Sequence, residues 1–203
     1  MPASLSVKSA SYKTYGVSGK TLADIAKSIK KVGPVDPNDK KRVAFLTTTE
    51  LDCALTRARY KPDGKPKLDK KSGWYEAKAK VDSLSLTLIP TVECPKRQVS
   101  GLSARALVEW FRFYAACLLH EAKHLDKAKK ECEKIAKEVD KLRGTGMADT
   151  EAKAQAAAND DLAEAIRIFF FDNRERLNEL HRKFDHSTHH GEKQGALLDT
   201  SIQ

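Results

Sequence analysis

The chain has 203 residues, a length that one domain, or one core with an appendage, accounts for. Its 40% hydrophobic and 32% charged residues are typical of a globular protein with a charged surface, and the sequence contains no apolar run of about 18 residues that would indicate a membrane span. The formal net charge of +9 comes mostly from scattered lysines rather than from arginines interleaved with aromatic residues, so nucleic acid is not the expected partner.

The N-terminal part of the chain predicts a short strand followed by a short helix. Residues 1–11 are polar and lack the apolar segment of a signal peptide, so we expect a flexible N-terminus there. Residues 12–17 alternate like a strand. Thr21 is a good helix N-cap with Asp24 at the capping-box position, and the Gly33–Pro34 pair ends the helix.

The middle of the chain has the alternation typical of β-strands. Residues 43–60, 74–81 and 83–91 read as strands, and a loop rich in proline, glycine and charge follows the first of them. Pro90 and Pro95 are expected to end this region. The pattern favours a small antiparallel sheet of three or four strands.

Helical periodicity replaces alternation at about residue 103. Apolar residues recur at helical spacing from 103 to 143, until Gly144 and Gly146 interrupt the pattern. A second long helix is predicted from about residue 149 to about 183, pairing with the first as an antiparallel hairpin. Residues 184–196 then read as a loop rich in histidine and glycine.

Four cysteines are present, and none is part of a CxxC motif, so neither a zinc ribbon nor a redox motif is indicated. Cys117 and Cys132 would be separated by about 22 Å on one continuous helix, which is too far for a disulfide. Cys53–Cys94 is the more plausible bridge, and Cys117 reads as a buried free thiol.

The segment His120-Glu-Ala-Lys-His124 has the spacing of a metal-binding site. Two histidines four residues apart share one face of a helix, where both imidazoles can bind one zinc ion. Glu121 then lies beside the open coordination position, where its carboxylate can accept a proton from water. The alternative is a pair of surface histidines beside a solvated glutamate.

A third protein ligand has to come from elsewhere, and the remaining histidines all lie near the C-terminus. They are His181, His186, His189 and His190. His181 and Glu179 are further candidates for the third ligand, because some sites of this type use a residue of a downstream helix.

Three segments in order resemble the bacterial DUF922 family. They are the stretch from Tyr15 to Leu22, the HEAKH segment, and the stretch from Phe184 to Gly191 that is followed by Gln194-Gly-Ala. That family is described as predicted secreted zinc-dependent proteases, which implies a periplasmic or secreted location with the signal peptide absent from this chain. The resemblance also implies that His190 is the third zinc ligand. Phe184 stands where the family has tyrosine.

Other residues of the same motif are expected to support the metal site. Asp185 and Thr188 suit hydrogen bonding to the ligand histidines, which fixes their tautomer. If the family tyrosine stabilises an oxyanion, His189 or Tyr114 has to replace it here.

Together these features predict an α+β, zincin-like fold: a small antiparallel sheet with an N-terminal helix, packed on a long HExxH-bearing helix, with a long helical hairpin. The metallohydrolase domain would cover residues 12–197, with a sheet part at 12–100 and a helical part at 101–197, before a tail at 198–203. The expected function is a Zn²⁺-dependent peptidase with Glu121 as general base. The lysine excess favours an acidic peptide or protein substrate. The alternatives are a non-catalytic zinc-binding protein and a helical hairpin that binds a partner.

Overall fold

The computed structural model of the protein describes residues 3–99 and 101–203. Most of the segments with apolar residues at helical spacing form helices. The three α-helices are α1 (Leu22–Val32), α2 (Ala104–Val139) and α3 (Glu151–Thr188). Helix α1 begins at Thr21 with a full capping box to Asp24, as predicted. Among the described residues, no helix is both long and apolar enough to cross a membrane.

Seven strands pair around one long strand. They are β1 (Ala3–Val7), β2 (Ser11–Val17), β3 (Leu46–Cys53), β4 (Arg59–Pro62), β5 (Lys67–Asp69), β6 (Trp74–Arg97) and β7 (Arg143–Ala148). Strands β1 and β2 run parallel to β6, whereas β4, β5 and β7 run antiparallel to it; β3 also pairs with β6. The predicted small antiparallel sheet is therefore wrong: the sheet is larger, and it is mixed.

The length of strand β6 explains why the predicted sheet was incorrect. Its 24 residues include the predicted strands 74–81 and 83–91 and the two prolines that were expected to end this region. Every second residue from Leu84 to Cys94 is buried, including Pro90. The burial of this face therefore keeps the strand continuous although Pro90 has no backbone N–H to donate to a neighbouring strand. The alternation changes phase once, near Asp82, where the register with β4 also shifts. Alternation identifies buried faces but not strand partners, so the parallel neighbours carried no local signal.

The chain forms two compact units, each with strands and helices. The first combines the residues up to Lys8 with Leu51–Leu88 and Lys129–Leu177. Its core packs apolar side chains of β6 against those of α2 and α3, among them Leu84, Leu86, Ile135, Val139, Leu162 and Ile166. In this unit Gly144 and Gly146 do more than interrupt a helix. They lie in β7, and a Cβ atom at either position would collide with the backbone of α3.

The second unit combines Ser9–Glu50, Ile89–Ala128 and Asn178–Gln203. Its core joins α1 to the first half of α2 through Leu22, Ile25, Phe45, Trp110 and Phe113.

The chain ends also differ from expectation. Ala3–Val7, assigned to a flexible N-terminus, form strand β1. In the second unit the C-terminal segment is held by α2. The Arg112 guanidinium donates to the carbonyl oxygens of Gly195 and Leu197 at 2.7 and 2.6 Å, and the backbone N–H of Asp199 donates to Glu109.

All four cysteines are free thiols. The predicted Cys53–Cys94 bridge is therefore absent. Cys94 lies within β6, and its Sγ lies 3.7 Å from the Lys13 carbonyl oxygen on neighbouring β2. Cys117 is buried in the second unit, and its burial raises the pKa of the thiol, as suits a buried apolar side chain.

Candidate metal centre

Helix α2 turns a polar face into the interior of the second unit. His120, Glu121 and His124 are each no more than 5% exposed, although the same helix has ample solvated surface. Cys117 precedes them by one turn on the same buried face. Burying three titratable side chains is costly unless each finds a partner, so their partners define the site.

Three ligand-type atoms converge at this face. Asp185 Oδ1 on α3 lies 3.0 Å from His120 Nε2 and 2.9 Å from His124 Nε2, and the two Nε2 atoms lie 3.1 Å apart. Zinc bonds of about 2.0–2.1 Å in tetrahedral geometry give ligand separations of about 3.3 Å. The three atoms thus have nearly the spacing of one face of a zinc coordination sphere.

Hydrogen bonds on the far side of each ring fix what these nitrogens can do. His120 Nδ1 lies 3.0 Å from Gln194 Oε1, an acceptor, so Nδ1 carries a proton and Nε2 is the nitrogen left for a metal. His124 Nδ1 lies 2.9 Å from His181 Nδ1, and His181 Nε2 lies 2.8 Å from the Thr49 hydroxyl. With His181 donating to Thr49, His124 Nδ1–H donates to His181, and its Nε2 is free to bind a metal.

Burial and hydrogen bonds shift the pKa values of the side chains in the site. Burial, together with nearby His124, lowers the pKa of His181 to about 4, which keeps this ring neutral and able to accept. Burial alone would raise the pKa of the Asp185 carboxyl, but hydrogen bonds to His120 and His124 hold it well below its usual range. Although burial opposes it, hydrogen bonds to Asp185 and Gln194 raise the pKa of His120, so in the metal-free protein a proton lies between the carboxylate and the imidazoles, which are about 3 Å apart. A zinc ion would supply the positive charge in place of that proton.

Aromatic and backbone packing hold the rings in place. The Phe184 ring stacks on His120, with 4.9 Å between centroids and 13° between planes, and it meets His124 edge-on at 4.7 Å. Gly191, with φ of +84°, lets the chain pass close to the His120 ring, where an added Cβ would lie 3.1 Å from Cγ. Larger side chains at Gly191 would push the ring out of position.

A cavity of about 180 Å³ opens beside the three converging atoms. Glu121 lines it together with Phe45 and Thr47. Burial raises the pKa of the Glu121 carboxyl, against the opposing effects of the Thr47 hydroxyl and of nearby His124 and His120. A carboxylate with a raised pKa beside an open cavity is well suited to accept and return a proton.

The sequence profile of one family, described as bacterial proteins of unknown function (DUF922), matches residues 12–191. The chain belongs to the DUF922 family. Comparison with curated proteins and with solved structures gave no match. The DUF922 match covers all of the converging side chains but ends before Gln194, and the description of the family assigns no activity.

In this DUF922 chain the structure brings some of the predicted site residues together and leaves others apart. His120, Glu121, His124, Asp185 and His190 all line the cavity. Asp185, expected to support a ligand, stands where the third ligand was expected. His190 is 43% exposed on its side chain, and its Nδ1 lies 4.0 Å from Asp185 Oδ1 rather than beside the two histidine nitrogens.

The remaining candidates lie outside the converging group. Thr188 is buried and donates to the Phe184 carbonyl oxygen at 2.9 Å, which supports the helix end. His189 is exposed. Tyr114 packs in an aromatic cluster 4.9 Å from Phe45 and does not line the cavity. Glu179 forms an ion pair with Arg182 near the surface.

Sequence reasoning missed the supporting roles of His181, Thr49 and Gln194. One signal was available: His181, Phe184, Asp185 and Thr188 have helical spacing, which extends α3 to Thr188 rather than ending it near residue 183. That correction puts Asp185 on a rigid helix facing α2 within this unit. Thr49 and Gln194 come from distant parts of the sequence and carry no local signal.

Proposed function

We propose that this DUF922 protein is a zinc-dependent peptidase. The observation that carries the proposal is the convergence of His120 Nε2, His124 Nε2 and Asp185 Oδ1 within about 3 Å of each other, beside a cavity lined by Glu121. Two neutral imidazoles and one carboxylate form a donor set that suits zinc, and three protein ligands leave one position open, as in catalytic sites.

The donor set also fixes the chemistry that the metal would supply. When bound, zinc acts as a Lewis acid that polarises a carbonyl group and lowers the pKa of water to about 7. The chain's own residues would hold and orient this site: Gln194 and His181 fix the histidine tautomers, and Phe184 fixes the ring planes.

Glu121 would handle the proton. Its carboxylate would accept a proton from water in the cavity and pass it to the leaving amine. Burial raises the pKa of this carboxyl, which brings it closer to neutral pH and favours reversible transfer. Phe45 and Leu46 on the cavity wall would limit bulk water during the reaction.

The cavity also bears on the substrate. Asp36, Asp185 and Glu192 line it, so its carboxylates disfavour the acidic substrate that the lysine excess suggested. We therefore favour a neutral or basic peptide. The periplasmic or secreted location implied by the family resemblance stays a prediction.

A non-catalytic zinc site is the second candidate, and one feature favours it. His120 contacts both Gln194 and the backbone at Gly191, so the metal-binding ring also anchors the C-terminal segment. In that case zinc would stabilise the segment, and the cavity would have no turnover.

Cleavage assays with a Glu121→Gln variant separate the two functions. The zinc-loaded wild type should cleave members of a mixed-sequence peptide library. The variant should cleave them about 10²–10⁴-fold more slowly while keeping its zinc. Glu133→Gln, at an exposed position of the same helix, is the matched control and should behave like wild type. Bound zinc without cleavage by wild type would exclude the peptidase function.

A further inference from the structure

A second group of ligand-type atoms lies next to the first. Asp36, Asp185 and His190 each offer one such atom, and all three atoms fall within 4.8 Å of one another. Asp185 belongs to both groups. Its Oδ1 lies about 3 Å from the two histidines of α2 and 4.0 Å from His190 Nδ1, so one carboxylate faces both.

Asp36 is the residue that needs explanation. Its side chain is 3% exposed, in a loop where Val35 pairs with Arg42 across a β-bridge. Oδ1 accepts a hydrogen bond from the Asn38 N–H at 2.7 Å. Oδ2 accepts no hydrogen bond from the described residues, and none of their lysine or arginine nitrogens forms an ion pair with it. A buried carboxylate is expensive without a positive partner.

The distance between Asp36 Oδ2 and His190 is too long for a hydrogen bond but suits two ligands of one cation. Asp36 Oδ2 lies 3.8 Å from His190 Nδ1, well beyond the usual hydrogen-bond range of about 2.7–3.2 Å. Two ligands of one divalent cation, with bonds of about 2.1–2.4 Å, lie about 3–4.8 Å apart. The gap between Asp36, Asp185 and His190 has that width.

His190 is also oriented for this role. Asp39 Oδ2 lies 3.5 Å from His190 Nε2, on the side of the ring opposite the cluster. This distance is too long for a hydrogen bond, but the negative charge of Asp39 still favours a proton on Nε2, which leaves Nδ1 free to bind a metal. His190 itself is 43% exposed, so the cluster is open to solvent and a bound ion would exchange more readily than one at the buried first site.

We propose that Asp36, Asp185 and His190 form a second divalent-cation site that shares Asp185 with the first. The proposal rests on the metal site of the proposed function, because Asp185 would bridge the two ions. Paired ions bridged in this way lie about 3.5–4 Å apart in many hydrolytic enzymes, where they hold both the attacking and the leaving group. Two oxygen donors and one nitrogen suit Zn²⁺ or Mn²⁺.

Metal stoichiometry tests the proposal without any substrate. Purified full-length protein is dialysed to equilibrium against increasing Zn²⁺, and in parallel against Mn²⁺, before elemental analysis and calorimetric titration. Wild type should bind two equivalents, the second more weakly. Asp36→Asn and His190→Gln should each bind one. His189→Gln alters the neighbouring exposed histidine and is the matched control, which should keep two.

Each outcome decides between distinct accounts. A single equivalent in wild type, unchanged by Asp36→Asn or His190→Gln, would overturn the second site, leave the first intact and identify His190 as an ion-pair partner only. Two equivalents in both variants would also overturn the assignment. No bound metal in wild type would remove this proposal together with the proposed function. Because His190 is exposed, His190→Gln keeps the test valid even if Asp36→Asn perturbs its loop.

Discussion

The two units bury different chemistry along the same two helices. In the first unit α2 and α3 contribute apolar residues to the core, such as Ile135, Val139 and Leu162, all of them fully buried. In the second unit the buried face of α2 carries His120, Glu121 and His124, and α3 contributes His181 and Asp185.

The difference shows where stability and function separate. The first unit gains from ordinary apolar burial. The second accepts buried polar groups that are partnered with one another at distances near 3 Å, an arrangement that stability alone does not require. Variants at matched positions can break or sharpen this contrast.

The largest expected effect is a loss of stability in the first unit. Leu162→Ala should lower the free energy of unfolding by about 2–5 kcal/mol, because it removes a fully buried side chain and leaves a cavity. Denaturant unfolding measures the loss, and zinc content should not change. Leu119→Ala, which is 66% exposed on α2, is the control with little effect. A small loss for Leu162→Ala, or lost zinc, would break the contrast.

A smaller effect is expected for the residues that hydrogen-bond to the proposed metal ligands. His181→Ala and Thr49→Val each interrupt the hydrogen bonds that fix the tautomer of His124, so zinc affinity should fall about 10–100-fold. A chelator-competition titration measures the change. His186→Ala, at an exposed position of α3, should leave the affinity unchanged. Wild-type affinity in both His181→Ala and Thr49→Val would rule out this supporting role.

The sequence predicted the site residues on α2 better than it predicted the strand pairing of the sheet. His120, Glu121 and His124 could be identified because four-residue spacing on a helix is a local property. The parallel pairing of β1 and β2 with β6 could not, because strand partners are set by contacts about 80 residues apart. Asp185 was predicted to belong to the site, but its position on α3 was not, since α3 was expected to end near residue 183.

The smallest expected effect is a change in the Tm of the metal-free protein, and the direction of that change is the test. Burial raises the folded-state pKa of Glu121, so this carboxyl contributes stability at low pH and loses that contribution as pH rises through its folded-state pKa. Glu121→Gln should therefore raise the Tm of chelator-treated protein at pH 7, and the gain should shrink toward acidic pH. Glu133→Gln should show no gain. A lower Tm for Glu121→Gln across the pH range would contradict this account of the buried carboxyl.

The central claim is that His120, His124 and Asp185 hold one metal ion, and a zinc titration of Asp185→Asn against wild type tests it most directly. Wild type should bind a tight equivalent of zinc in competition with a chelator. Asp185→Asn should weaken that equivalent by more than the about 10–100-fold expected of a supporting residue. Zinc binding as tight in Asp185→Asn as in wild type, or no zinc in wild type, would contradict the claim.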